Sequence, residues 1–352
     1  MPAVDQFTHT VAPDHAPRRV SIKDLARLAF VSHSTVSRAL RGSPLVNSET
    51  AAQIRKIAEE AGYRASAVAR SLVLGRSSTV GVVVTNIADP FVAGVVGGIE
   101  SMAEERGYSV FLANSNAEPE REVRVVHSFE ERRVDGIIVT SSRVGARYLP
   151  LMEKMRIPVV LLNNQHASEF AHSVVIDNVE ASRAVTRHLL ELGHRRIAYL
   201  GDRFGYQSDT ERFAGYRHAV EEAGLEFAPE LVVHGDGRPE GGEQAVTELL
   251  ALAAPPTAVF CYNDMSAVGV MRQVHARGLG IPADFSVAGF DDLYLSQYLQ
   301  PPLTTVRQPM HQMGRMAMET LLRIMNGEEC TQIQRVAGEV IVRESTARPK
   351  GE

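Results

Sequence analysis

The chain has 352 residues, 44% apolar and 22% charged, with a formal net charge of −5 and two cysteines. That length predicts two or three domains, and the composition excludes wholesale disorder. There is no run of about 18 apolar residues to form a membrane-spanning helix, and Pro2, Asp5, Pro13, Asp14 and Pro17 interrupt any secretory signal. Cys261 and Cys330 lack metal-type spacing and read as reduced cytosolic thiols. Neither a cofactor nor a bound metal is expected.

The charge is uneven along the chain. Residues 1–76 carry 11 Lys/Arg against 6 Asp/Glu, while the remainder carries 26 against 36. A basic module of +5 therefore precedes an acidic one of −10. This points to an anionic partner at the N-terminal end, or else to an Arg-rich solvated helix face.

Residues 1–17 have little apolar pattern and read as a disordered tail. From Ser21 the pattern turns helical: Ile22, Leu25, Ala26 and Ala29 recur at helix spacing, with Ser21 as N-cap. Phe30, Val31 and Ser32 separate this helix from a second, residues 33–40, which Ser32 can cap. Its apolar side is Val36, Ala39 and Leu40. Its other side is His33, Ser34, Ser37, Arg38 and Arg41, polar or cationic donors with no acid. A third helix, capped by Asn47 or Ser48, covers about 49–61. Pattern alone fits any small three-helix bundle. Two short helices joined by three residues and braced by a third also form a helix-turn-helix, whose second helix fits the DNA major groove.

The run from Val20 to Val84, SIKDLARLAFVSHSTVSRALRG at its start, resembles the lactose-repressor-type (LacI/GalR) family of transcription regulators. Asp24, Ala29, Val31, Ser32, Thr35, Val36, Ser37, Arg38, Leu40 and Gly42 match the family stretch. The resemblance implies that His33, Ser34 and Arg38 read bases, while Ser32, Ser37 and Asn47 contact phosphate or cap helices. Two positions depart from the pattern. Phe30 replaces a usual Gly, with about 1 kcal/mol of strain if the turn needs positive φ. Arg41 replaces a common Asn and adds a cation.

Residues 65–76 are short and Ala-rich, a linker by composition and too short for a stable isolated helix. In the resembled family this segment is a hinge helix whose leucine, here Leu72, wedges into the minor groove. Ala65 stands where Pro is common.

From residue 77 the sequence alternates strands and amphipathic helices. Strands are expected at 79–84, 108–113, 136–140, 159–162, 174–177, 197–201, 257–262 and 286–290. Helices are expected at, among other places, 90–106, 118–132, 179–192, 210–223, 240–252 and 264–277. This βαβα order calls for parallel sheets, and about 270 residues call for two α/β lobes with a ligand cleft at the strand ends. Hydrogen-bonding residues collect there: Asn86, Asp89, Phe91, Thr140 and Asn163 in the first lobe, and the span from Asp202 to Arg212, Asn263, Asp264, Phe290, Asp291 and Asp292 in the second. Carboxylates, amides, a guanidinium and an aromatic face suit a sugar or polyol, although Asn and Asp also cap helices in such loops. The letters G-x-G-x-x-A at 278–283 follow a helix and precede a strand, the wrong context for a dinucleotide loop. His188 and His194 read as surface or helix-end residues.

Family landmarks continue in order: NIADPF (86–91), RRVDGIIV (132–139), GHRRIAYLG (193–201), ERFAGY (211–216), YNDMSAVGVM (262–271), GFDD (289–292) and PPLTTVRQP (301–309). The resemblance implies a periplasmic-binding-protein-like effector domain, entered from lobe to lobe near 175–177, 306–307 and 337–340. Its effector positions map to Phe91, Thr140, Asn163, Arg212, Asn263 and Asp291. After Arg343 no leucine heptad follows, so a dimer rather than a tetramer is expected.

The resulting expectation is an α-helical helix-turn-helix head followed by an α/β two-lobed periplasmic-binding-protein-like domain with parallel sheets. The head covers 18–64, the hinge 65–76 and the effector domain 77–346. Lobe 1 covers about 77–175 and 307–337, and lobe 2 about 177–305 and 340–346. The expected function is a cytoplasmic, nucleoid-associated, homodimeric repressor of roughly palindromic double-stranded operator DNA, with a sugar-like effector and no catalytic role. A transporter's solute-binding protein would instead need a signal peptide and no basic head. An α/β enzyme would need a catalytic loop.

Overall fold

The structure is a computed structural model that describes residues 20–63, 75–144, 157–164, 172–330 and 333–350. The chain divides into two compact units, Met1–Ser77 and Ser78–Glu352. The hinge positions Ala65 and Leu72 lie outside the described residues.

The first unit contains α1 (Ile22–Leu28), α2 (His33–Leu40) and α3 (Ser48–Glu60). Each helix begins on a polar side chain. Ser21 and Asp24 close a reciprocal capping box, with Asp24 N–H donating to Ser21 Oγ (3.3 Å) and Ser21 N–H to Asp24 Oδ2 (2.9 Å). Thr35 N–H donates to Ser32 Oγ (3.1 Å), and Glu49 N–H to Asn47 Oδ1 (2.7 Å). Such caps contribute about 1 kcal/mol each. Leu25, Val36, Ala39, Ala51, Ile54 and Ala58 form the small buried core.

All three helices end in the same way, on a residue with left-handed backbone. After α2 and α3 that residue is glycine, Gly42 (φ 68) and Gly62 (φ 62), but after α1 it is Phe30 (φ 54). Phe30 N–H donates to Arg27 O (3.3 Å) and Val31 N–H to Ala26 O (3.1 Å), the paired bonds of a Schellman end. The turn therefore has the positive φ that strains a side chain, by about 1–2 kcal/mol. The Phe30 ring is 94% exposed, so no burial offsets that strain.

In chain order the second unit contains β1 (Thr79–Val84), α4 (Pro90–Glu105), β2 (Ser109–Asn114), α5 (Pro119–Glu131), β3 (Gly136–Thr140), β4 (Val159–Leu162), β5 (Ser173–Ile176), α6 (Asn178–Glu191), β6 (Ile197–Asp202), α7 (Gln207–Glu222), β7 (Val232–Gly235), α8 (Pro239–Leu250), β8 (Ala258–Cys261), α9 (Asp264–Ala276), β9 (Ser286–Ala288), β10 (Thr305–Arg307), α10 (Met310–Met325), β11 (Ile333–Val336) and β12 (Glu339–Ile341). Two parallel sheets result. The first has the order β11-β5-β4-β3-β1-β2 and the second β7-β6-β8-β9. Strands β3 and β4, GIIVT and VVLL, are buried along their whole length, as parallel strands covered on both faces must be.

The chain passes between the sheets three times. It leaves the first after β5 and returns through β10, after which α10 packs on α4. Gly98 and Gly314 permit that packing: a Cβ on either would collide with a carbonyl of the facing helix, His311 O or Val95 O. The third passage is β12, antiparallel to β10 with Val306 opposite Val340. Beyond it Ser345 re-enters the second lobe, where Val287 N–H donates to Ser345 O (2.9 Å).

Most expected elements lie within one or two residues of those observed, although α7 begins three residues earlier, at Gln207. β7, β10, β11, β12 and α10 were not among those named from the sequence. Residues 278–283 do lie between a helix and a strand. Of the two readings of His194, helix-end holds and surface does not: it follows the end of α6, its N–H donating to Leu189 O (3.2 Å). It is buried, with ring nitrogens bonded to Thr257 Oγ1 (2.8 Å), Ser286 Oγ (3.1 Å) and Ala347 O (2.9 Å). Its neighbour His188 bonds Thr346 Oγ1 (3.0 Å), so both hold the 346–347 segment, and burial lowers the pKa of each. Among the described residues no helix is long and apolar enough to cross a membrane, and no group of three or more His, Cys, Asp or Glu side chains could hold a metal ion.

Candidate functional site

The DNA-reading candidates lie on and around α2. Ser32, His33, Ser34, Arg38 and Arg41 are exposed, and Ser37 is half-buried. Ser32 Oγ caps the helix and also lies within hydrogen-bond distance of Ser34 Oγ (2.7 Å) and Thr35 Oγ1 (2.8 Å). Of the two roles left open for Ser32 and Asn47, both side chains perform capping. Arg41 folds back on the helix end. Its Nε donates to Ser37 O and its Nη2 to Ser37 Oγ, both at 3.0 Å, placing the added cation at the negative end of the helix dipole.

In the second unit a cleft of about 920 Å³ opens at the carboxyl ends of the strands. Five of the six effector candidates line it: Phe91, Asn163, Arg212, Asn263 and Asp291. Thr140 does not. It is the last residue of β3, 1% exposed, and its Oγ1 has no hydrogen-bond partner. Successive side chains alternate in direction along a strand, and here the next residue, Ser141, lines the cleft.

Arg212 projects from α7 and is buried between rings. Its guanidinium carbon is 3.7 Å from the Phe290 centroid and 4.7 Å from that of Tyr262. Nε donates to Asn178 Oδ1 (2.9 Å) and Nη1 to Tyr262 O (2.5 Å), which fixes the plane of the fork. Asp291 is 6% exposed and accepts from Gln308 Nε2 (2.6 Å). Gln308, just beyond β10, also accepts from Asn163 Nδ2 (3.5 Å), so the two lobes and the crossing strand share one chain of bonds. Burial pushes the Asp291 carboxyl well above the usual carboxylate range, with Arg212 opposing that shift. Asn163 Oδ1 is buried without a partner.

Other lining groups have structural duties. Asp89 caps α4, accepting from Phe91 N–H (2.9 Å), and burial raises its pKa. Asn263 caps α9 through Ser266 N–H (2.8 Å) and donates to Gly237 O (3.0 Å), so the capping interpretation fits its side chain. Asn86 also lines the cleft, whereas Asp292 is tied to Arg307 Nε (2.7 Å) and Arg343 Nη2 (2.5 Å) beside the crossing strands. Asp202 accepts from Phe204 N–H (2.6 Å), while its Oδ2 is buried and unpartnered, and burial raises its pKa to about 6.

Sequence reasoning missed Gln308, Arg143 and Asn178, whereas Tyr206 falls within the expected 202–212 span. Gln308 and Arg143 follow strand ends, a signal available from the sequence, whereas Asn178 required knowledge of which helix faces Arg212. Backbone strain marks the same place. Ten described non-glycine residues have positive φ, and five of them, Asn116, Ala117, Ser141, Asn163 and Asp291, line the cleft.

Residues 21–66 match bacterial regulatory proteins of the lacI family, and residues 186–346 match a periplasmic binding protein-like domain. The HTH-type transcriptional repressor PurR of Aliivibrio fischeri (strain MJ11) is 34% identical over 329 residues, 92% of this chain and 98% of the relative. Catabolite control protein A of Priestia megaterium is 35% identical over 310 residues, 88% of this chain and 93% of the relative. Among solved structures, the lac repressor dimer bound to operator and the anti-inducer ONPF aligns with a TM-score of 0.87 at 27% identity, covering 94% of this chain and 100% of that one. The complex of the transcriptional regulator CelR with cellobiose aligns with a TM-score of 0.71 at 31% identity, covering 93% and 100%. A helix-turn-helix head, a two-lobed domain with a polar cleft and near full-length similarity converge on one conclusion: the chain belongs to the LacI family of bacterial transcriptional regulators.

Proposed function

We propose that this regulator is a homodimeric repressor of a roughly palindromic operator, acting in the cytoplasm on the nucleoid, and that its effector is a neutral sugar or polyol. His33, Ser34 and Arg38 read base edges. Ser37 and Arg41 face the phosphate backbone, Ser32 and Asn47 orient their helices toward it, and Leu72 is the minor-groove wedge. Phe91, Asn163, Arg212, Asn263 and Asp291 hold the effector, with Ser141 in place of Thr140. The chain is read as a sensor without catalytic turnover.

The observation that carries the effector class is the Asn163–Gln308–Asp291 chain of bonds beside the ring-stacked Arg212. Carboxylate, amide and guanidinium gathered at one place can bond hydroxyl groups, and Phe91 and Tyr262 line the cleft beside them. A ligand bonded to both lobes favours one lobe angle. A coupling of about 1–3 kcal/mol between that angle and DNA binding changes operator occupancy about 5- to 150-fold.

Gel-shift selection from random operator pools tests the DNA claim, and absence of sequence-selective binding at moderate salt refutes it. A thermal-shift panel of sugars, polyols and nucleobases tests the effector class, because a cleft ligand stabilises the fold by mass action. Stabilisation by nucleobases alone refutes a sugar effector.

A further inference from the structure

We infer that Asp292 is a positioning residue for the effector response. Without lining the cleft, its carboxylate braces two of the three strands that cross between the lobes, and so fixes the resting angle between them. The inference needs an effector between the lobes but no particular effector class.

The brace begins in the backbone. Residues 289–291 run beside 304–308, where Asp291 N–H donates to Val306 O (2.8 Å) and Gln308 N–H to Asp291 O (3.2 Å). Two adjacent pairs of side chains result, with different tasks. Asp291 and Gln308 bond one another in the cleft (2.6 Å). Asp292 and Arg307 bond outside it, with Arg307 Nε donating to Asp292 Oδ2 (2.7 Å). Asp291 and Asp292 both have positive φ (129 and 56), so the backbone is strained where the two carboxylates part. Such strain persists only where the surroundings over-determine it, and these bonds do so.

Asp292 reaches both crossing strands. Its Oδ2 holds Arg307, the last residue of β10, and its Oδ1 accepts from Arg343 Nη2 (2.5 Å), just beyond β12. Arg343 is anchored on the second-lobe side, where its Nη1 donates to Leu303 O (2.7 Å). Arg307 Nη1 also donates to Glu339 Oε2 (3.2 Å), its opposite number in the β10–β12 pair. Arg307 therefore stands between Asp292, in the second lobe, and Glu339, where the chain arrives from the first. Rotation of one lobe on the other must be absorbed in these crossings, so this set of bonds suits one lobe angle. Water weakens it little, because the Asp292 side chain is 8% exposed. A movement of Asp291 against an effector passes to Asp292, the next residue, and from there to both strands.

The main test needs no ligand. Spin labels on Glu120→Cys and Glu240→Cys, exposed positions near the cleft-lining Glu118 and Pro239, report the distance between the lobes in the full chain carrying Cys330→Ser. With Asp292 intact the distance distribution should be single and narrow. Asp292→Asn should make it broad or two-peaked, and so should Arg307→Gln. The double variant should be no broader than either single one, because the same brace is lost only once. Asp284→Asn removes another ion pair of the second lobe, with Lys350 (2.7 Å), and should leave the distribution narrow, which separates the brace from a general loss of stability. Of glucose, ribose, sorbitol, adenine and guanine, each one that changes wild-type operator affinity in gel shifts should change that of Asp292→Asn by less than about twofold. Should Asp292→Asn fail to fold, Arg307→Gln, at a side chain 47% exposed, decides by the same distances. A distribution that is unchanged by Asp292→Asn, equally broadened by Asp284→Asn, or additively broadened in the double variant overturns the inference. So does a full effector response in Asp292→Asn.

Discussion

The guanidinium of Arg212 lies 3.7 Å from the centre of the Phe290 ring, one residue before Asp291 in the chain. Cation and carboxylate are thus held by a shared aromatic platform, so the arginine's role depends on its plane as well as its charge. Arg212→Lys keeps the charge but loses the stacking and the fork. It should abolish the effector response in gel shifts while leaving effector-free operator affinity within about threefold, and lower stability by about 2–4 kcal/mol in urea. Retention of the full response in this variant would show that only charge matters at this position.

Phe30 gives a prediction of opposite sign. Phe30→Gly should stabilise the helix-turn-helix by about 1 kcal/mol, whereas Phe30→Ala, with its Cβ still in the left-handed region, should gain nothing. Hydrogen exchange of the α1–α3 amides in the full chain provides the measurement. Equal protection in the glycine and alanine variants would contradict strain as the cause.

Asp202 predicts a pH dependence. Burial raises its pKa from 3.8 to about 6, opposed by the Phe204 N–H and by Arg143 and assisted by Asp209 and Asp236. Between those values the folded chain retains a proton that the unfolded chain has lost. Stability from this group is therefore fully present below about pH 4 and lost as pH rises to about 6. Burial also raises Asp89, Asp209, Asp264 and Asp291, so the diagnostic is a difference between curves. Asp202→Asn should flatten the decline between pH 4 and 6 in urea titrations. An unchanged slope would assign it to the other carboxylates.

On the recognition helix, Arg38→Ala should cost about 1–3 kcal/mol on the selected operator and relax base preference at one position per half-site. Arg41→Ala should weaken specific and non-specific DNA alike and reduce the salt slope by about one. Identical behaviour of the two variants in salt-dependent titrations would remove the distinction between reading and backbone contact.

The parts of this molecule legible in sequence were those governed by local rules. The caps at Ser21, Ser32 and Asn47, the apolar runs of β1, β3 and β4, and the strand-end clustering of Arg212 and Asp291 all rest on nearest neighbours. What escaped rests on partners distant in the chain. β10 and β12 have three residues each and exist because they pair with one another. α10 buries Met313, Ala317, Met318, Leu321 and Leu322 against elements that precede it by more than 100 residues. Thr140 was misplaced because a one-residue shift at a strand end reverses the side chain, and the sequence contains no marker of that phase. The burial of His194 at its helix end was not legible because its partners, Thr257, Ser286 and Ala347, lie 63 or more positions away.

The passage of the chain from sheet to sheet also has a consequence during synthesis. β11, the strand beside β5, and α10, the helix packed on α4, are translated only after β6 to β9. The first lobe to emerge from the ribosome is therefore still incomplete when β6 to β9 have been made, and the second sheet can form while β5 still has an open edge. A nonsense mutation before Ile333 would remove residues remote in sequence from β1–β5 and leave that edge available to pair with other nascent chains.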